Sequence, residues 1–292
     1  MKNTLQINYW TIGGFEGKTK IEDAINEVKN MGLDGIELTF GAGEFSPGIS
    51  KERCMEIRKY AESLGVKIET CATGTYWGLS LASTSAGTRK KAIAFTKEYL
   101  QVASWVGAKV CLVIPGAVFV PWEEQAPITP YAKVWELATA SIKSLLPVAK
   151  KTGVIMGIEN VWNCFLADPV AMRIFVDQFK SKYVGAYFDV ANCVINGFPE
   201  HWIEILNRRI VAIHIKNFKR TDCAGGLHGF GDDLLDGDVN FPAVIKELKK
   251  IKYKGPLTAE MIPFSRLPNL VLPDIPLARD TAKNMKQIFQ KA

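Results

Sequence analysis

Eight short apolar runs alternate strictly with longer amphipathic segments along this 292-residue chain. The runs fall at residues 5–9, 35–40, 67–71, 109–114, 155–159, 184–189, 210–215 and 257–261. Each has the length and β-branched content of a strand. Between them, apolar residues recur at helical spacing, as at Ile21, Ala24, Ile25, Val28 and Met31. Thr19 is the expected N-cap of that helix, and Gly32 its stop. Further helices are expected at 50–64, 88–105, 131–151, 169–179, 199–206, 241–250 and 276–289. Strand–helix alternation implies a parallel sheet covered by helices, and eight repeats imply closure into an α/β (β/α)₈ TIM barrel. Such a barrel typically takes about 250 residues. No compositional break divides the chain, so residues 1–292 are read as a single domain. A doubly wound open sheet is the alternative, but it usually carries a glycine-rich phosphate turn after its first strand. Gly13-Gly14 stands there without a third glycine at the right offset.

Charge and composition narrow the function classes. The net charge of +6 is scattered, and its densest groups, Lys90-Lys91 and Lys246-Lys249-Lys250, lie on helical patterns as solvated faces. No nucleic-acid footprint is expected from such a distribution. No apolar run approaches the roughly 18 residues of a membrane span. The N-terminus, MKNTLQINYW, passes into a strand without the apolar core of a signal peptide, so a cytoplasmic protein is expected. The six cysteines form no CxxC spacing. Cys71 and Cys111 fall in strand runs and read as small buried thiols.

Four of the runs deliver a metal-capable side chain at or near their C-terminal ends. VIMGIEN delivers Glu159, YVGAYFDVAN Asp189, IVAIHIKN His214 and GPLTAEM Glu260. Parallel barrels gather their functional residues at that end of the strands. Any one of these carboxylates alone reads more readily as a helix cap or a member of an ion pair than as a metal ligand. Four at adjacent strand ends point instead to a shared cation, because an unpaired buried charge is costly. Three carboxylates and one imidazole suit Mn²⁺, Mg²⁺ or Co²⁺ better than a thiol-seeking ion.

Glu159 in GIEN, Asp189 in YFDVAN, His214 in IHIKN and Glu260 in TAEM resemble the metal-ligand pattern of the xylose-isomerase-like barrel superfamily. The nearest groups within it are the ketose 3-epimerases and the L-ribulose or L-xylulose 5-phosphate 3-epimerases. The resemblance implies a divalent-metal isomerase, Mn²⁺ being the expected ion. It acts on a small-molecule sugar or sugar phosphate and assembles as a dimer or tetramer. By the same resemblance, Glu159 and Glu260 are both ligands and the acid/base pair. One removes the C3 proton of a ketose through an enediolate, and the other returns a proton on the opposite face. Asp189 and His214 hold the ion without moving protons. Arg220, six residues after His214, matches an arginine that contacts substrate hydroxyls, and reads equally as a surface residue in a long loop.

The chain also departs from the free-ketose pattern. Phe165 stands where those enzymes carry a second glutamate, and Asn192 where they carry a histidine. A phosphorylated ketose or another keto-sugar is therefore open. Asn160, Asn163 and Asn192 are candidates to bind sugar hydroxyls, with loop and turn chemistry as the competing reading. Trp10, Trp77, Trp122 and Trp162 are candidates to stack on a sugar, or are packing residues. Glu37 in GIELTF points into the barrel mouth or makes a buried structural hydrogen bond. His201 reads as a surface residue, and His228 as a possible lid residue.

Three rivals remain at this level. A superfamily DNA-repair endonuclease requires a histidine-rich three-metal cluster, and this chain has three histidines in all. A metal-dependent dehydratase or lyase on a keto-sugar or inosose needs the same proton abstraction and is not separated by these residues. A non-catalytic sugar-binding barrel has no need of two opposed glutamates.

Overall fold

A computed structural model describes residues 3–14, 17–120, 127–220, 229–261 and 273–290. The expectations on Trp122 and His228 lie outside the described residues. The strands are β1 (Leu5–Asn8), β2 (Gly35–Thr39), β3 (Thr70–Ala72), β4 (Val110–Val113), β5 (Ile155–Glu159), β6 (Val184–Asp189), β7 (Ile210–Ile215) and β8 (Leu257–Ala259). They pair in parallel and in chain order into a closed barrel, with β8 bonded back to β1. The helices that follow them are α1 (Ile21–Met31), α2 (Lys51–Ser63), α3 (Ala86–Val106), α4 (Tyr131–Thr152), α5 (Pro169–Asp177), α6 (Pro199–Leu206), α7 (Phe241–Lys250) and α8 (Ile275–Gln290). The (β/α)₈ reading of the alternation is therefore correct.

Local signals explain most boundaries. Ser50 accepts the Arg53 amide at 3.0 Å and caps α2, and Asp168 accepts the amides of Val170 and Ala171 at 2.9 Å and caps α5. Gly32, Gly107 and Gly153 stop α1, α3 and α4 in left-handed conformations. Three expectations shift. Lys20, not Thr19, is the N-cap of α1, and it makes no side-chain cap. Helix α3 starts at Ala86 rather than residue 88, because Ser85 accepts the Thr88 amide. Strand β3 is Thr70–Ala72 rather than 67–71. There the Gln6 side-chain oxygen, reaching from inside the barrel, takes the Glu69 amide at 3.2 Å.

The side-chain period of two turns alternate residues inward. Outward residues such as Ile7, Ile36, Ile158, Phe188 and Ile213 are fully buried beneath the helices. The interior is polar and ordered in levels. Low in the barrel, the Gln6 amide nitrogen donates to the Thr70 and Thr258 hydroxyls at 3.1 Å each. Higher up stand Asn8, Glu37, Tyr187 and His214, and above them the rim. Cys71 and Cys111 are buried free thiols, as expected. No helix of the described residues is long and apolar enough to cross a membrane.

Candidate metal centre

Strand register brings the four expected donors together. Asp189 on β6 pairs directly with His214 on β7. His214 pairs with Thr258 on β8, and the Glu260 amide continues that ladder by donating to the Ile215 carbonyl at 3.1 Å. Glu159 ends β5 opposite Tyr187. One donor atom from each of Glu159, Asp189, His214 and Glu260 lies within 4.8 Å of the others, and all four residues are buried. His214 Nδ1 faces Glu159 Oε1 at 3.1 Å, Glu260 Oε2 at 3.6 Å and Asp189 Oδ2 at 3.9 Å.

The surroundings fix these side chains. Asp189 Oδ1 accepts the amides of Ala191 and Asn192 at 2.8 and 2.7 Å, so Oδ2 is the atom turned to the cluster. That Oδ2 is buried and accepts no hydrogen bond, although Lys216 Nζ lies 3.1 Å away. Behind His214, Nε2 lies 2.8 Å from Glu37 Oε1. Glu37 is fully buried and also accepts from Asn8 Nδ2 at 2.6 Å and from the Tyr187 hydroxyl. With the ring's proton held on Nε2 by a carboxylate, Nδ1 is left to act as a ligand. Gly157 leaves room for Tyr187 to make this contact: a Cβ there would stand 3.0 Å from the Tyr187 Cβ. Of the two readings of Glu37, the buried hydrogen bond is realised, and it reaches the centre through His214.

Lys216 is the residue that sequence reasoning missed. It follows His214 by two positions, so the strand period turns it to the same side. Its ammonium is buried, donates to Glu260 Oε2 at 2.8 Å and lies beside the packed pair of Trp162 and Phe230, 5.5 and 5.2 Å from their ring centroids. The signal available in IHIKN was this period: a lysine two residues after an inward histidine.

Burial and charge set the protonation of the group. Burial pushes the Glu159 carboxyl up to about 7, against the stabilising His214 contact and with the Glu260 and Asp189 charges adding to the rise. Burial also raises Asp189, partly offset by Lys216. For Glu260 the balance reverses: burial would raise it, but His214 and Lys216 outweigh burial and hold it below its ordinary value. Burial would lower His214 and Lys216, yet the surrounding carboxylates raise both.

The other candidate site residues divide. Asn160 ties β5 to β6, donating to the Asp189 carbonyl at 2.9 Å and accepting its amide at 2.8 Å. Asn192 donates to the Asn160 carbonyl at 2.9 Å, and its buried side-chain oxygen accepts no hydrogen bond. Asn163 is turned to backbone, donating to Gly116 at 2.8 Å and accepting the Phe165 amide at 2.9 Å. Arg220 likewise serves its loops: Nε and Nη2 donate to the Val194 and Gly197 carbonyls at 2.7 and 2.8 Å, and its guanidinium lies over Phe198. The side chains of Asn163 and Arg220 are thus both tied to backbone carbonyls. Trp10 and Trp77 both lie against Gly74, in the turns beyond the ends of β1 and β3. Trp162 packs on Phe230 with ring centroids 4.6 Å apart. His201 is exposed, as expected.

The donor set fits a divalent cation: an oxygen-rich ring with one imidazole, no thiol, and a buried carboxylate oxygen lacking a hydrogen bond.

Comparison with known proteins gives a consistent architecture. Residues 25–288 match the family described as xylose isomerase-like TIM barrel. An uncharacterized protein of Methanocaldococcus jannaschii is 24% identical over 247 residues, covering 82% of this chain and 78% of its own. The structure of an L-ribulose 3-epimerase superposes with a TM-score of 0.80 at 15% identity, covering 99% of this chain and 95% of that one. The apo 3-keto-D-glucoside 4-epimerase YcjR from E. coli superposes with a TM-score of 0.74 at 15% identity, covering 98% and 100%. At these identities the superpositions establish the shared barrel.

Proposed function

Because the chain belongs to the xylose isomerase-like TIM barrel family, we propose that it is a metal-dependent sugar or sugar-phosphate epimerase, inverting a ketose carbon next to the carbonyl. The observation that carries this reading is the buried ring of Glu159, Asp189, His214 and Glu260, whose donor atoms lie within 4.8 Å of one another. The ketose and keto-sugar epimerase activities named for structures of the same fold support it. We take residues 1–292 to act as one domain around this centre.

Glu159, Asp189, His214 and Glu260 hold the ion, with Mn²⁺ as first choice and Mg²⁺ or Co²⁺ as substitutes. A divalent ion there supplies Lewis-acid polarisation of the substrate's carbonyl and adjacent hydroxyl. The two glutamates come from β5 and β8, the outer members of the four-strand arc, with Asp189 and His214 between them. This spacing suits approach to a substrate carbon from opposite sides. Glu260, kept ionised by His214 and Lys216, takes the proton from C3, and the electron pair passes to the carbonyl oxygen as an enediolate. Glu159, whose burial favours the protonated form, returns a proton on the other face. The roles exchange in the reverse direction. The unpartnered Asn192 oxygen is suited to a substrate hydroxyl.

The test is a panel of free and phosphorylated ketoses incubated with the Mn²⁺-loaded protein in heavy water. Deuterium should enter at the carbon next to the carbonyl, together with the inverted product. Loss of a β-leaving group instead would identify a dehydratase. No exchange with any member of the panel would defeat the epimerase reading.

A further inference from the structure

The carbanion chemistry proposed above gives four rim residues their roles and Lys216 only the support of the Glu260 charge. We propose that Lys216 sets the charge of the metal centre: its ammonium shares Asp189 Oδ2 and Glu260 Oε2 with the ion, loosening the ion while adding positive charge where the substrate becomes negative. The proposal rests on the metal reading of the site.

Geometry carries it. Lys216 Nζ lies 2.8 Å from Glu260 Oε2 and 3.1 Å from Asp189 Oδ2. These are the same two oxygens that face His214 Nδ1, and so the same two that the ion needs. The ammonium is not a surface charge that happens to reach inward. The residue is buried, and the rings of Trp162 and Phe230 lie 5.5 and 5.2 Å from its ammonium. Those two rings pack on each other, and Phe230 also packs edge-on against Phe218 two residues beyond the lysine. An ammonium in such a box keeps its position, and with little water present its field is weakly screened.

Two consequences follow with opposite signs. A fixed positive charge next to two ligand oxygens opposes a second cation on them, so removing it should tighten metal binding. The same charge favours an enolate-like oxygen in the transition state, so removing it should slow proton exchange. A residue that merely props Glu260 in place would, on removal, loosen the ligands and weaken both properties. The split between the two readouts therefore separates a charge role from a packing role.

The experiment compares the parent protein with Lys216→Met, Lys216→Gln and Lys216→Arg. Methionine matches the stem and keeps the contact with Trp162 and Phe230. Glutamine keeps hydrogen-bond donors without charge, and covers the case in which the methionine variant fails to fold. Arginine keeps the charge. Folding is checked by far-UV circular dichroism, and Mn²⁺ affinity by electron paramagnetic resonance against a competing chelator. Mn²⁺ should bind about tenfold or more tightly to the methionine and glutamine variants, and with near-parent affinity to the arginine variant. Deuterium exchange into substrate should fall in both neutral variants. Equal or weaker Mn²⁺ binding in the folded neutral variants, with the parent binding normally, overturns the proposal alone. Failure of the parent itself to bind Mn²⁺, Mg²⁺ or Co²⁺ overturns the metal reading and this proposal with it.

Discussion

The two halves of the barrel rim do different work. Strands β5 to β8 end in Glu159, Asp189, His214 and, just past β8, Glu260. Strands β1 to β4 end in Asn8, Thr39, Ala72 and Val113, and their one interior carboxylate, Glu37, turns to the back of His214 rather than to the cluster. The candidate donors sit on one arc, and the other arc supplies the carboxylate behind His214. Charge explains the division. Three carboxylates brought together in a dry rim need cations, and the arc that carries them also carries His214 and Lys216. Glu37 is tolerated on the far arc because Asn8, Tyr187 and His214 satisfy it.

The comparison can be broken most severely at Glu260. Glu260→Gln removes a proton carrier from the donor arc and leaves the far arc intact. Deuterium exchange into substrate should fall about 10²–10⁴-fold while far-UV circular dichroism stays unchanged. Retained exchange would take Glu260 out of the mechanism.

A smaller effect is expected from the far arc. Glu37→Gln keeps an acceptor for His214 but removes the carboxylate, and should weaken Mn²⁺ binding about 10–100-fold. Calorimetric titration with Mn²⁺ reads this directly, and unchanged affinity would show that the two arcs are energetically separate.

The pH dependence of metal binding sharpens the contrast within the donor arc. Glu159 binds a cation more tightly as the carboxylate than as the acid, and burial pushes its carboxyl up to about 7. Protons therefore compete with the ion below that pH, and Mn²⁺ affinity should rise as pH increases through 7. Glu260, held low, should add nothing to the rise over that range. Affinity that is flat across pH 5–8 would contradict this assignment.

The smallest effect belongs to the outside of the far arc. Arg53 on α2 bridges Glu44 and Glu22 at 2.8 and 2.7 Å, with all three side chains partly exposed. The Arg53 hydrogen bond lowers the Glu44 carboxyl, so its contribution is present above the ordinary carboxylate range and disappears as pH falls through the lowered value. Solvent screening keeps it small, and Glu44→Gln should cost about 0.2–1 kcal/mol at neutral pH in a denaturant titration.

How much of this was legible depended on range. The amphipathic segments between the short apolar runs marked the helices, and each of the four candidate donors interrupted an apolar run. Those signals are local. Thr19 misled because an expected cap competes with other partners: its hydroxyl donates to the Gly13 carbonyl at 3.4 Å, and Lys20 holds the cap position. Asn163 and Arg220 carried polar groups suited to a sugar, but their sequence neighbourhood could not reveal the backbone carbonyls waiting for them at Gly116, Val194 and Gly197.

The alternation of strand and helix determined the barrel, and the polar residue at or near the end of each of four strand runs marked the candidate donor set, because both are written in the period of a single segment. Only the folded chain decided that Glu37 meets a histidine 177 positions away and that Lys216 points between Asp189 and Glu260. Strand periodicity tells which side of a sheet a residue faces. Which partner it meets across a closed barrel depends on register, stagger and packing summed over the whole ring.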